Sequence, residues 1–486
     1  MSADLLLLIF LLTPIFHAMA IGAAARIPAL RDGANILFAC GYAWLAFMLV
    51  DWHQAGEIAY VALARPLPTA DFAFAPEPIG LTAAATFAAL GALNAPFAGG
   101  YFRAMQDKAP ARAEVLIALS VGLGCAAALS ANLFTFLLCY QAMIVASFPL
   151  VAHHGGPEIR RAGQIYFGIL LTASIALLLP AMAWTHGLAG RLDFIAGGLL
   201  AGKIGPIEAD VLLTLFAFGF ASAGLMPLHP WLPSAMRAPA PAAGLVHSVV
   251  VVSVGALGLI KVSLLIFGQA MSQATIARPA LIVVALGGSI LASLIALSKD
   301  ELKPRLAYAT IAQIALCTAG AMIATPVALF AASFQIVAHG TAKTSLYFTA
   351  GAVEAMTGRT RASELDGLGK HMPWAFAAFA LAALSVSFVP PLAGAWSLLW
   401  LVAGAARADM VWVAGLILAS CVASFAVLGP LAGRAIFGTP PNHPFVRPDA
   451  ASVLLILPVA IGGAVSLGLL FLIDPLSRFL GVRLGP

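Results

Sequence analysis

The sequence predicts an all-α polytopic membrane protein of about fourteen transmembrane helices, each near the 20 apolar residues that cross a bilayer. Two observations carry this. Of 486 residues, 62% are hydrophobic and 9% are charged, where a soluble domain carries roughly 25% charged residues. The mean hydropathy of +1.00 comes from apolar stretches that follow one another along the whole chain. In lipid such stretches become helices, because a helix satisfies its own backbone hydrogen bonds.

In order, the predicted spans lie roughly at 4–25, 33–52, 77–100, 114–131, 132–153, 162–184, 208–227, 242–265, 279–298, 304–325, 327–356, 373–403, 409–433 and 451–473. The opening MSADLLLLIFLL carries the acidic Asp4 and no basic stretch, so it reads as the first span and not as a cleaved signal. The outer connections, roughly 53–76 and 185–207, are too short for a core of their own. About thirteen residues follow the last span, too few for a long lateral arm. The expectation is one transmembrane domain over 1–486.

Charge sets the orientation. Of 25 Lys and Arg residues, the loops after odd-numbered spans hold sixteen, from Arg26, Arg31 and Arg103 through Arg161, Arg237 and Arg361 to Arg447. Seven lie on the other side (Arg65, Arg191, Lys203, Arg278, Arg407, Arg478 and Arg483), and Lys261 and Lys343 fall inside spans. The positive-inside rule then puts both termini on the non-cytoplasmic side, as expected for a bacterial inner-membrane protein. The net charge of +5 reflects this bias and does not point to nucleic acid. Five cysteines, Cys40, Cys125, Cys139, Cys317 and Cys421, sit in apolar segments without a CxxC, which argues against disulfides, zinc and iron–sulfur clusters. There is no GxGxxG or Walker-type loop. No cofactor is expected.

Two stretches interrupt the helical pattern. "FGFASAGLMPLHPWLPSAMRAPAPAAGLVHS" (Phe218–Ser248) holds Pro227, Pro230, Pro233, Pro239 and Pro241, and "SFVPPLAGAWS" (Ser387–Ser397) holds Pro390 and Pro391. Proline removes a helical hydrogen bond, and irregular backbone survives in a membrane only inside protein or beside a water-filled cavity. The breaks fall in spans 7 and 12. Broken helices at corresponding positions mark inverted repeats, here spans 4–8 (114–265) and 9–13 (279–433); the alternative is two unrelated kinks.

"LMPLHPWLPSAMRAPAPAAGLVH" resembles the broken-helix signature of the antiporter-like proton-translocating subunits of respiratory complex I, Mrp-type cation/proton antiporters and membrane-bound hydrogenases. Further matches are "SKDELKPRLAYATIAQIAL" at 298–316, "AHGTAKTSLYFTAGAV" at 338–353, "ELDGLGKHMP" at 364–373 and "VPPLAGAWS" at 389–397. "FPLVAHHGGPEIRRAGQIYFGILL" at 148–171 is most similar to the D-type Mrp subunit. The resemblance implies a fourteen-helix subunit with a polar axis at the membrane midplane, in which protons pass along ionisable side chains and water.

It also implies a glutamate in span 5 and lysines in spans 7, 8 and 12. Here those positions hold Gln141, Ser222, Ser253 and Leu398, all neutral. Gln141 can line a wet channel but cannot exchange a proton near neutral pH. Thr214, Ser222 and Ser253 read either as water-holding groups or as small residues for close packing. Three family positions survive: His247, His339 and Lys343. His247 reads as an axial group or as a hydrogen-bonded core residue. His339 and Lys343 lie i, i+4 on one helix face. Lys343, mid-span, is expected to face water in the bundle rather than a cage of carbonyls, and a desolvated lysine can carry protons. Lys261, nearer the outer end of span 8, is expected to snorkel. Glu301, Lys303 and Arg305 read as a solvated loop cluster. Glu354 reads as surface or as a channel mouth.

The resemblance thus implies a membrane subunit of a multi-subunit cation/proton antiporter or complex I-like assembly with its own proton path impaired. It would act by structural coupling or conduct through His247, His339 and Lys343. Two alternatives stay open. Neighbouring subunits or water chains supply the missing charges, or the chain belongs to the membrane arm of an energy-converting hydrogenase or NADH:quinone oxidoreductase. Any redox chemistry would belong to partner subunits. The expected partners are other membrane subunits, protons, a monovalent cation and the lipid bilayer.

Overall fold

The computed structural model describes residues 2–67, 69–439 and 451–482; Arg447 and Arg483 lie outside the described residues. Among the described residues the chain is helical, with one hairpin. α1 (Ala3–Ala23) is capped by the Ser2 hydroxyl, and α2 covers Pro28–Gln54. β1 (Val61–Leu67) and β2 (Ala70–Phe74) pair antiparallel within the 53–76 connection. α3 (Pro78–Ala104), α4 (Pro110–Ala128) and α5 (Leu133–Val151) follow. α6 (Pro157–Ala173) runs through a π turn at Ser174–Leu178 into α7 (Leu179–Ala189). α8 (Pro206–Gly219) leads to the first break, which contains α9 (Trp231–Ala235). The next span is a π stretch, Ala242–Val251, then α10 (Val252–Lys261) and a second π stretch, Val262–Phe267. α11 (Ala277–Leu297), α12 (Leu302–Ile323) and α13 (Pro326–Thr357) precede the second break, which separates α14 (Pro373–Val386) from α15 (Ala393–Arg407). α16 (Trp412–Phe437), α17 (Ala451–Gly468) and α18 (Ile473–Phe479) complete the described chain. Pro28, Pro78, Pro110, Pro157, Pro206, Pro326 and Pro373 each open a helix. That first position needs no N–H donor and suits proline's fixed φ.

Among the described residues, eleven helices are long and apolar enough to cross a membrane. The other three predicted spans are the two broken helices and α13, which carries Gln335, His339, Lys343 and Tyr347 along its length. Ala242–Phe267 and Leu302–Ile323 are 94% buried, against 33% for α1, α2 and α16. The core therefore lies around α10 and α12.

Both breaks stand where the prolines put them. After Gly219 the chain makes a 3₁₀ turn at Ala221–Ala223 and an irregular run through a cis Met226–Pro227 peptide. Trp231 Nε1 donates to the Ala221 carbonyl at 3.0 Å. At the second break Pro390–Pro391 is cis, and Gln313 Nε2 donates to the Val386 carbonyl at 2.9 Å. At the second break a buried side chain thus satisfies a carbonyl the helix has released, as irregular backbone at membrane depth requires; at the first, the Ala221 carbonyl accepts from both the Trp231 ring and the Gly224 N–H at 3.0 Å.

Candidate functional site: a polar axis along α13

On α13, Gln335, His339, Lys343 and Tyr347 recur at every fourth residue and all are buried. His339 Nε2 lies 3.1 Å from the Ser248 carbonyl. Lys343 Nζ donates to the Leu306 carbonyl at 3.3 Å and is fully buried; its protein partner is thus a carbonyl, as a caged lysine would have. The Tyr347 hydroxyl contacts Met236 Sδ at 3.1 Å and the Lys303 carbonyl at 3.4 Å. At the other end of the stripe, Gln335 Nε2 donates to Gln313 Oε1 at 2.7 Å and the Ser397 hydroxyl donates to Gln335 Oε1. Gln313 Nε2 also reaches Ser424 Oγ at 3.3 Å. An amide and hydroxyl chain therefore surrounds the second break, and Leu398 follows Ser397 directly as a half-buried apolar side chain.

The first break is equally uncharged. The Ser222 N–H donates to the Tyr140 hydroxyl at 3.4 Å. Ser253 is fully buried and its hydroxyl has no protein partner. Ser222 is pressed against α10: its Oγ is 2.1 Å from where a Cβ on Gly255 would stand. Close packing is therefore what a small residue serves at 222. Gln141 turns the other way, and its amide donates to Ser174 Oγ in the π turn at 3.0 Å. Thr214 bonds back to the Asp210 carbonyl at 2.7 Å on its own helix. His247 is fully buried with neither ring nitrogen on a protein partner, and its ring meets Tyr166 edge-on at 5.1 Å. The histidine is thus packed without a protein hydrogen bond.

Glu301, Lys303 and Arg305 do not form the expected solvated cluster. Lys303 reaches α13 and pairs with Glu354 at 2.8 Å, to which the Tyr101 hydroxyl also donates at 3.2 Å. Arg305 is drawn inward to the Val427 carbonyl at 2.8 Å. Lys303 and Glu354 line a cavity of about 970 Å³ whose wall includes Tyr101, His154, Glu158, Lys299 and Arg361. Beside it, His153 is held between Asp107 at 3.1 Å and Arg112, whose guanidinium also donates to the His153 carbonyl at 2.7 Å.

Two further charged groups depart from expectation. Lys261 does not snorkel: it is fully buried and pairs with Glu77 at 3.1 Å. A negative partner within reach of the buried ammonium makes reaching for the surface unnecessary. Arg31 is not in a loop but in α2, buried between Asp32 at 2.7 Å and Glu114 at 3.0 Å. Sequence reading missed Gln313, Gln335, Ser397, Tyr347 and Glu77. The four-residue repeat on α13 was a signal for two of these; Glu77 lies far from Lys261 in the chain, and no local pattern links them.

A helical bundle with many apolar membrane-length helices, broken at two places and crossed by a buried polar stripe, defines a polytopic membrane protein. Residues 130–424 match the family described as NADH:quinone oxidoreductase/Mrp antiporter, transmembrane, and the chain belongs to it. It is 30% identical to NADH-quinone oxidoreductase subunit N of Desulforudis audaxviator (strain MP104C) over 86% of this chain and 84% of that protein. To hydrogenase-4 component B of Escherichia coli (strain K12) it is 30% identical over 54% of this chain, spanning 40% of that protein's length. Its fold matches a chain in the structure of the Mrp complex from Dietzia sp. DQ12-45-1b with a TM-score of 0.79 at 22% identity, covering 96% of this chain and 51% of that one. The protein is an integral membrane protein of this family, and its relatives are subunits of multi-subunit membrane complexes.

Proposed function

We propose that this chain is a membrane subunit of a multi-subunit cation/proton antiporter or complex I-like assembly, in which it couples neighbouring subunits and passes protons only weakly. The observation that carries this is the neutrality of both breaks: hydroxyls and amides stand at Tyr140, Ser222, Ser253, Gln335 and Ser397. Such groups do not change charge near neutral pH. The residual route runs from the cavity at Lys303 and Glu354, which serves as its mouth, past Tyr347 to Lys343, with His339 one turn on. His247 contributes from the first break.

The two breaks also support a pair of inverted repeats, 114–265 and 279–433. Inverting one onto the other must superpose 220–230 on 387–392, and failure to do so ends that reading. With the basic bias facing the cytoplasm, both termini lie outside a bacterial inner membrane; impermeant labelling of R361C from outside intact cells would overturn this orientation. A membrane-arm subunit of an energy-converting hydrogenase or NADH:quinone oxidoreductase is the second reading. It is favoured by the near-full-length match to a quinone oxidoreductase subunit, and the subunits that co-purify decide it.

Lys343→Ala and Lys343→Arg test the route in the assembled complex, with complex yield and proton flux both measured. Both variants should assemble and both should lose the flux that this subunit contributes, because guanidinium stays protonated and cannot cycle. Normal flux in the alanine variant refutes the route. Rescue by arginine, with a lower yield of the alanine variant, makes Lys343 structural.

A further inference from the structure

The pair Glu77–Lys261 lies apart from the axis. Glu77 precedes α3 and Lys261 ends α10, with Nζ 3.1 Å from Oε1. Nζ also lies 3.3 Å from the Ser130 carbonyl and 4.8 Å from the centre of the Phe194 ring. The two partners differ in exposure: the lysine side chain is 0% exposed and the glutamate side chain 23%.

The surroundings hold that difference in place. A Cβ on Gly80 would come within 2.2 Å of the Ala128 carbonyl, so the start of α3 rests directly on the end of α4. Glu77 is thereby held over the α4–α5 turn that supplies Ser130. The hairpin is tied to the same turn, with Ala75 N–H on the Leu129 carbonyl at 2.9 Å and Ala131 N–H on the Ala73 carbonyl at 3.0 Å. α3 begins beside Glu77 and carries Tyr101, a wall residue of the Lys303–Glu354 cavity, near its other end. Its 27 residues rise about 40 Å. The pair and the cavity therefore stand at opposite ends of one helix.

Removing two charges from water costs several kcal/mol per ion even after relaxation, and apolar side chains of similar size often serve stability as well. A charged group inside a membrane segment is therefore a functional candidate. One partner sealed in the bundle and the other touching the surface is the arrangement that hands a proton across that boundary. We infer that Glu77 and Lys261 form a proton-exchange site between the bundle interior and the face opposite the cavity. The Lys261 ammonium gives its proton to Glu77 Oε1, leaving a neutral amine and a carboxylic acid. Oε1 is itself buried, so the carboxyl turns to bring the proton to the exposed side of the glutamate and releases it to water, and the amine takes the next one from the interior. No electron moves and total charge is conserved. The site rests on the reading that the subunit passes protons at all, and adds the exit group which that reading lacks.

Two measurements on the assembled complex test it. A protonated carboxyl in apolar surroundings protonates a hydrophobic carbodiimide and adds through oxygen to its central carbon, so the native complex should be labelled at Glu77, as mapped by mass spectrometry. The neutral double variant K261M/E77Q should assemble in normal yield and lose the subunit's flux, on the order of 100-fold for a lost proton-transfer group. Native complex unlabelled at Glu77, or a double variant with normal flux, makes the pair a structural staple and overturns the inference. Labelling is read on the native complex, so a variant that fails to assemble does not protect the idea. If Lys343→Ala keeps its flux while Glu77 is labelled, the Lys343 route fails and the exchange site stands.

Discussion

Gly255→Ala adds one methyl group to α10 where it faces the first break. The new carbon would sit 2.1 Å from Ser222 Oγ, 2.6 Å from the Ala223 nitrogen and 3.0 Å from the Ser222 carbonyl carbon, where ordinary contact begins at 3.4 Å. The hydroxyl can rotate away, but the nitrogen is backbone. Relief therefore requires α10 or the 3₁₀ turn to move by roughly the 0.8 Å separating 2.6 from 3.4 Å. Overpacking of this kind costs about 1–3 kcal/mol, and replacing a helical glycine by alanine returns up to about 1 kcal/mol. The net loss is up to about 2 kcal/mol. Gly287 on α11 is the matched control, since nothing lies within 4 Å of its Cβ position. The assay is the fraction of detergent-purified complex that stays monodisperse after graded heating. Gly255→Ala should lower the midpoint and Gly287→Ala should not. Equal midpoints would refute the close seating of the break on α10.

Gln335→Leu removes two hydrogen bonds and strands Gln313 Oε1. At about 0.6 kcal/mol per membrane side-chain bond, and up to about 1.7, it should cost about 1–3 kcal/mol and lower the same midpoint; an unchanged midpoint counts against the amide chain. His154, outside the spans, has its pKa lowered by burial and then by the neighbouring His153. The unfolded chain then binds the extra proton, so His154 leaves stability intact above the unfolded value of about 6.5 and weakens it as pH falls below. His154→Gln should flatten the decline in stability below about pH 6.5, and identical pH slopes in the two proteins would remove the claim.

The spans and both breaks were legible because hydropathy and proline act locally. The neutral family positions were legible as residue types but not as geometry. Tyr140 and Gln141 are neighbours, and about 100° of helix rotation decides which faces Ser222; the structure gives that place to Tyr140. Lys261 read as a snorkelling residue because its distance from the span end is visible in sequence and its partner is not. Lys303 and Arg305 read as one cluster for the converse reason: sequence proximity hid that one reaches α13 and the other α16. The hairpin, with Pro66 and Arg65 in its first strand, looked like plain connection.

α13 has 32 residues and so measures about 48 Å, against a hydrocarbon layer of about 30 Å. An ordinary tilt of about 20° shortens its reach by only a few ångströms, so its ends project into the headgroup layers. Glu354 stands three residues from its C-terminal end, and Lys343 eleven residues before that, about 16 Å deeper. A single stiff rod thus carries both the Glu354 carboxylate, paired with Lys303 in the cavity wall, and the Lys343 ammonium, sealed in the bundle, so the spacing between mouth and buried amine is one the protein cannot adjust.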